Sequence, residues 1–161
     1  MTLASRNETG ENTKSKTRLR LWLRLLKTSR RIETKLRENL RQEFGSTLPR
    51  FDVLSALNQY EKGLKMSELS GVLKVSNGNV TGIVDRLVAD GLTIRVAVPG
   101  DRRAWQVRLT TKGRQEFAAQ AAAHETWIDQ LLGGFSESEA KHVSEQFETV
   151  LDIASDEKGT G

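Results

Sequence analysis

The spacing of apolar residues changes once along the chain, and this change limits the possible folds more than any other feature of the sequence. From Arg18 to Gly91, and again from Thr110 to Ala154, apolar residues recur at steps of three and four, the period of amphipathic helices. Residues 92–109 instead alternate apolar and polar around a Pro99-Gly100-Asp101 turn, which predicts a β-hairpin. The pattern predicts a mainly α fold with one hairpin.

Capping residues divide the helical stretches into six helices. Gly45 and Gly91 are placed to end the first and fourth helices in the left-handed conformation. Ser76 and Thr110 are suitable N-caps, and Ser136 with Glu139 has the pattern of a capping box. The predicted helices cover residues 18–44, 49–60, 66–73, 76–90, 110–132 and 136–154.

This order of elements predicts three regions. Residues 1–16 are polar with almost nothing apolar to bury, so we expect a disordered arm. Residues 47–113 have the layout of a winged helix-turn-helix, in which short helices precede a hairpin. Residues 17–46 and 114–155 are expected to form a helical dimerisation region, because a first helix of about 26 residues, roughly 39 Å long, exceeds what one small domain needs.

Charge is distributed unevenly along the chain. The total of 25 Lys and Arg against 21 Asp and Glu gives a net charge of +4. Residues 14–43 contain eleven basic and three acidic residues, whereas residues 114–161 contain three basic and ten acidic ones. This gradient indicates either a surface for a polyanion or pairing between a basic N-terminal helix and an acidic C-terminal one. Solvated faces of amphipathic helices would explain the charges equally well.

Composition excludes several classes of protein. The chain has no cysteine and two histidines, which excludes disulfide scaffolds and thiol redox sensing and argues against a metal site. No paired nucleophile and base and no phosphate-binding glycine motif is present, so we expect neither an enzyme nor a cofactor. With no membrane span and no secretory signal in the sequence, we expect a cytoplasmic protein without a membrane partner.

The fourth helix is the first candidate for binding DNA. Its apolar face is needed for the core, while its N-terminal end offers small and amide side chains that fit a major groove and hydrogen-bond to base edges. Glycines there let a backbone approach closely, although Asn and Gly are also ordinary turn residues. The candidate residues are Ser76, Asn77, Gly78, Asn79 and Thr81.

The tip of the hairpin is the second candidate. Arg102 and Arg103 follow the turn, and an arginine on a narrow projecting loop suits the negative potential of a minor groove. Asp101 is close enough in sequence to hold an arginine guanidinium in one pose. Taken alone, such a tip is usually a solvated turn, so DNA binding depends on the combination of helix and wing.

A combined pattern of short motifs runs from the fourth helix through the hairpin: Val80-Thr81, Asp85-Arg86-Leu87, Gly91-Leu92, Asp101-Arg102-Arg103, Leu109-Thr110 and Lys112-Gly113. With this pattern the chain resembles the MarR family of bacterial transcriptional regulators. The resemblance covers about Arg18 to Ala154 and implies a homodimer on a pseudo-palindromic double-stranded DNA operator, with the fourth helix in the major groove and the wing in the minor groove.

The resemblance also implies roles for single residues. Arg103 would read the minor groove, with Asp101 orienting it, and Arg86 would contact the DNA backbone or pair with a wing acid. Gly82 departs from the family, because many relatives have an arginine at this position. The operator preference of relatives therefore does not carry over to this chain.

A small effector is implied by the same resemblance. Family members commonly release DNA when an aromatic acid or a related thioester binds between the dimerisation helices and the DNA-binding lobe. Trp22, His124 and Trp127 are the unusual residues in those helices, although aromatic residues at helical spacing more often form core or dimer packing. The basic first helix offers an anionic CoA thioester another site.

The sequence therefore predicts a ligand-responsive repressor that a small aromatic acid or its CoA thioester releases from DNA. The alternative is a dimeric winged-helix scaffold that binds other proteins and recognises no DNA sequence.

Overall fold

A computed structural model of the chain describes residues 5–73 and 77–156. Its elements, in chain order, are α1 (Ser5–Phe44), α2 (Leu48–Asn58), β1 (Leu64–Lys65), α3 (Met66–Leu73), α4 (Asn77–Ala89), β2 (Thr93–Val98), β3 (Asp101–Leu109), α5 (Thr111–Leu132) and α6 (Glu137–Asp156). The mainly α fold with a winged helix is confirmed. No helix in the described ranges combines the length and apolarity that crossing a membrane requires.

Helix α1 begins earlier than the sequence predicted. It starts at Ser5, so the described part of the predicted disordered arm is helical, and the Thr17 hydroxyl donates to the Thr13 carbonyl oxygen within it. The prediction was wrong because the sequence argument considered only whether the segment has an apolar face to bury. A helix that is already nucleated extends at one hydrogen bond per residue without a new nucleation cost, and this stretch contains no proline.

The helix ends follow their predicted caps. Gly45 has a φ of +56° at the end of α1, where its N–H donates to the Arg41 carbonyl oxygen at 3.1 Å. Gly91 has a φ of +72° after α4. At the start of α2, the first-turn Pro49 was expected, and the Thr47 hydroxyl adds a cap that the sequence analysis did not identify by accepting from the Arg50 N–H. These local contacts fix the boundaries of the short helices.

One apolar core holds together the elements from α2 to β3, which we call the winged lobe. Phe117 of α5 packs against this core, with its ring centroid 5.7 Å from that of Phe51 in α2. Cores of this kind contribute most of the stability of a small domain. The core consists of Val53, Leu54, Ala56, Leu57, Leu64, Leu69, Val80, Val84, Leu87, Leu92, Val107 and Leu109.

The sheet has three antiparallel strands in the order β1-β3-β2. The sequence predicted β2 and β3 but missed β1, in which Leu64 pairs with Val107. A strand of two residues is too short to show alternation, so no periodic signal exists for it. Gly63, which precedes β1, has a φ of +93°, and a Cβ there would lie 2.5 Å from the Val107 carbonyl oxygen.

The chain divides into two compact units between Ala123 and His124, within α5. The first unit contains α1, the winged lobe and the start of α5. In the second unit, α6 begins with the predicted capping box: Glu139 accepts from the Ser136 N–H and hydroxyl, both at 2.8 Å, and the Ser136 hydroxyl accepts from the Glu139 N–H. The two hydrogen bonds that the Glu139 carboxylate accepts from the Ser136 N–H and hydroxyl lower its pKa.

Candidate nucleic-acid interface

Helix α4 has one buried face and one face that is open to solvent. Val80, Val84 and Leu87 are fully buried in the lobe core. Of the predicted reading residues, Gly78, Asn79 and Thr81 lie in the exposed N-terminal half of α4. Asn77 is the first residue of the helix, and Ser76, the predicted N-cap, lies outside the described residues.

Two of the exposed positions of α4, Gly78 and Gly82, carry no side chain. A Cβ added at Gly78 or Gly82 would meet no other atom within 4 Å, so the fold itself does not require glycine at either position. Glycine in a helix interior costs about 0.5–1 kcal/mol relative to alanine. The exposed face is therefore flat at these two glycines, and it lets a ligand approach the backbone closely. The first charged residues along this helix are Asp85 and Arg86.

An ion pair connects α4 to the wing. The Asp85 carboxylate of α4 pairs with the Arg95 guanidinium of β2. The sequence assigned Arg86 either a DNA backbone contact or a wing acid as partner, but in the structure the helix supplies the acid and the wing supplies the arginine. Arg86 is exposed and forms no ion pair with another described residue, so its guanidinium is available to a phosphate.

The wing projects as a hairpin whose tip carries two exposed arginines, Arg102 and Arg103. Gly100 makes the turn with a φ of +82°. The pairing register then shifts between Ala97 and Val98, which leaves residues 102–104 as extra chain on β3. Such a bulge bends the strand and re-aims its side chains.

Asp101 orients the tip through the backbone. Its Oδ1 accepts from the Arg103 N–H at 3.0 Å. The sequence predicted that this carboxylate would hold an arginine guanidinium, and this is corrected: among the described contacts the carboxylate holds the peptide group of Arg103. A short Asx turn of this kind is the local alternative to strand pairing that Asp favours.

A set of contacts that we call the α4–α5 clasp holds the end of α4 against the start of α5. The Thr110 hydroxyl donates to the Gly91 carbonyl oxygen at 2.7 Å and accepts from the Gly113 N–H at 2.9 Å. The Lys112 ammonium donates to the Asp90 carbonyl oxygen at 2.9 Å. A Cβ at Gly113 would lie 1.9 Å from the Leu92 carbonyl oxygen. These residues belong to the sequence pattern, and the structure shows that they position α4.

A second ion pair that sequence reasoning missed acts at the same end of α4. Arg50, in the first turn of α2, pairs with the Asp90 carboxylate. The two residues are 40 positions apart in the chain, so no local spacing could have indicated the contact. Together with the clasp, this pair fixes the C-terminal end of α4 to its neighbours.

The predicted ligand residues lie in both compact units. Trp22 is 54% exposed on α1 in the first unit. In the second unit, Trp127 is buried, with 7% of its surface exposed, and His124 is half-buried. Trp127 is therefore a packed residue, whereas Trp22 presents its indole to the surroundings.

Comparison with known proteins places this interface in a family. The sequence model of the MarR family matches residues 46–105, from the end of α1 into β3. The crystal structure of a MarR family transcriptional regulator from Silicibacter pomeroyi has a TM-score of 0.72 and 30% identity, covering 88% of this chain and 97% of that one. A crystal structure of mutant MarR from E. coli complexed with operator DNA has a TM-score of 0.71 and 25% identity, covering 81% and 93%.

A curated relative extends the similarity in sequence. The transcriptional activatory protein BadR of Rhodopseudomonas palustris is 31% identical over 112 residues, which are 67% of this chain and 63% of that protein. The chain thus spans less than two thirds of this relative's length. Because the Silicibacter structure is covered almost completely at 30% identity, the chain belongs to the MarR family of transcriptional regulators.

Proposed function

We propose that this chain is a DNA-binding regulator in which α4 reads the major groove and the wing tip enters the adjacent minor groove. The observation that carries the proposal is the pairing of an open, polar α4 face with a tip that exposes Arg102 and Arg103. Asn79 and Thr81 supply groups that hydrogen-bond to base edges. Arg86 supplies a phosphate contact, and Arg103, held by Asp101, reads the minor groove.

The working form in this proposal is a homodimer on a pseudo-palindromic operator. Its support is the exposed apolar surface of the long helices: Leu19, Leu21, Trp22 and Leu23 of α1 and Val150, Leu151 and Ile153 of α6 are each more than half exposed. Apolar side chains in such numbers on a single chain mark an association surface. A dimer then presents two α4 helices to half-sites one helical turn apart, about 34 Å.

The proposal includes a small anionic effector. A surface depression between α1 and the start of α2 is lined by Arg37, Glu38 and Arg41 together with the apolar Leu48 and Pro49. Because Arg37 pairs with Glu33, Arg41 supplies the guanidinium that, beside apolar surface, suits an aromatic carboxylate or its CoA thioester. Trp22, His124 and Trp127, the aromatic candidates from the sequence, do not line this depression.

The sign of regulation needs a separate measurement, because the relative BadR is named as an activator. For this chain we propose repression, since a dimer that occupies an operator excludes the polymerase from the same DNA. Transcription in vitro, with and without the protein, tests this part of the proposal.

The decisive experiment measures binding to a duplex that the wild-type protein selects from a random library, over a range of salt concentrations. Arg103→Ala should weaken binding by about 1–3 kcal/mol and reduce the salt slope by about one. Arg114→Ala, which removes an exposed arginine of α5, is the matched control and should bind as wild type. Benzoate or benzoyl-CoA, added to the same assay, tests for release by an aromatic acid or its thioester.

Three outcomes would count against this proposal. If no duplex is selected, or if binding shows no salt dependence, the protein-binding scaffold becomes the better hypothesis. If Arg103→Ala binds as tightly as Arg114→Ala, the wing tip does not enter the groove.

A further inference from the structure

The wing carries a large aromatic side chain that its own fold does not cover. Trp105 lies on β3, immediately after the bulge, and is 51% exposed. Its cross-strand partner is Ala97, which is too small to cover an indole. A tryptophan usually buries most of its apolar surface. An indole left half exposed on a short hairpin therefore loses hydrophobic stabilisation unless another molecule covers it.

The strand register shows on which face of the sheet this indole lies. Cross-strand partners share a face, and the pairs along β2 and β3 are Arg95 with Val107 and Ala97 with Trp105. Val107 is fully buried in the lobe core, and Arg95 forms the ion pair with Asp85 of α4. Trp105 therefore lies on the α4 side of the wing, beyond the edge of the core and toward the tip.

The surroundings of this indole are strongly basic. Between Thr93 and Leu109 the hairpin contains four arginines and one aspartate. Arg102 and Arg103, which precede Trp105 on β3, are exposed, whereas the exposed Arg108 pairs with Ile94 and lies on the opposite face. An exposed aromatic ring among arginines suits a partner that offers negative charge and apolar surface alternately. The sugar–phosphate backbone of DNA has this character, because each phosphate is flanked by deoxyribose rings.

We propose that Trp105 contacts DNA by packing its indole against the deoxyribose rings of the strand that borders the minor groove entered by the wing tip. The inference depends on the proposed function, since it assigns a further residue to the same surface. Trp105 lies on the stem of the wing, one step behind the tip, so it meets the backbone while Arg103 reaches into the groove. The neighbouring arginines neutralise the phosphates, and the indole covers the sugars between them.

The test compares three variants on two duplexes, the one selected by the wild-type protein and an unrelated duplex of equal length. Trp105→Ala should raise the Kd for both duplexes by the same factor, roughly three- to tenfold, because sugars carry no sequence information. Its salt slope should stay unchanged, since no charge is removed, whereas Arg103→Ala lowers the slope by about one. Ile94→Ala, which removes an apolar side chain that is 38% exposed on the opposite face of the hairpin, should bind as wild type.

Fluorescence provides a readout that does not depend on the alanine variant folding. Binding of either duplex should change the tryptophan emission of the wild-type protein, and Trp105→Phe should lose that change. If Trp105→Ala retains wild-type affinity, affects only the selected duplex or lowers the salt slope, the backbone contact is refuted. Unaltered emission in the wild-type complex would refute it as well. If the wild-type protein binds no duplex, it is the proposed function that fails.

Discussion

Apolar side chains have opposite surroundings in the winged lobe and in the terminal helices. In the lobe, Leu54, Leu57, Leu69 and Leu87 are at most 1% exposed. In α1 and α6, apolar residues of the same size, such as Leu23 and Leu151, are 54% and 59% exposed. Their apolar periodicity is equally clear in the sequence, so the pattern alone does not reveal what covers a helix face.

The difference indicates two separate sources of stability. The lobe buries its core within one chain, and its stability should not depend on protein concentration. The exposed faces of α1 and α6 gain their hydrophobic stabilisation only when another molecule covers them. Substitutions in the two regions should therefore be distinguishable by their concentration dependence.

The largest expected effect comes from the lobe core. Leu87→Ala removes a side chain that is fully buried, and it should lower the free energy of unfolding by about 2–5 kcal/mol at any protein concentration. The matched change in α1, Leu23→Ala, should cost much less in dilute protein and should instead weaken self-association. Urea unfolding at several concentrations and sedimentation velocity measure the two effects. Equal costs for the two variants in dilute protein would remove the distinction between the regions.

An intermediate effect is expected from a pair of glycines within the first unit. Gly113→Ala places a methyl group against the Leu92 carbonyl oxygen, which should cost about 1–3 kcal/mol because backbone must move. Gly82→Ala meets open space and should stabilise α4 by about 0.5–1 kcal/mol. Thermal unfolding should thus shift in opposite directions, and a shift of the same sign in both would contradict the contacts assigned to the clasp.

The smallest effect concerns the capping box of α6. Hydrogen bonds from Ser136 lower the pKa of Glu139, so its stabilising contribution is complete above the unfolded pKa and is lost as the pH falls through the folded one. Glu139→Gln should therefore lower the thermal midpoint at neutral pH, with the difference from wild type vanishing in acid. Glu137→Gln, in the same helical turn, serves as the control. A difference that grows in acid would have the wrong sign.

Much of the fold could be predicted because its signals are local. The glycines Gly45 and Gly91 and the capping box at Ser136 each act within a few residues. Helix α3 matches its predicted bounds, and the hairpin was visible from alternation and its turn. The extent of α1 could not be predicted from apolar spacing, because its N-terminal stretch has no apolar face.

The candidate site was predictable in its members but not in its geometry. Arg102 and Arg103 are exposed at the wing tip as expected, whereas the action of Asp101 on the backbone depends on a bulge that the sequence does not indicate. The Asp85–Arg95 and Arg50–Asp90 ion pairs join elements that meet only in the folded chain. The exposure of Trp105 follows from the size of its partner Ala97, which requires the strand register.

The α4–α5 clasp couples the orientation of α4 to that of the first turn of α5. Two hydrogen bonds to the carbonyl oxygens of Gly91 and Asp90, and the close approach of Gly113 to Leu92, couple the first turn of α5 to the end of α4. Helix α4 has 13 residues and is about 20 Å long, so a tilt of about 5° at its clasped end displaces its other end by about 1.7 Å. A displacement of that size exceeds the tolerance of a hydrogen bond, so a small change of angle at α5 is enough to move Asn79 out of register with a base edge.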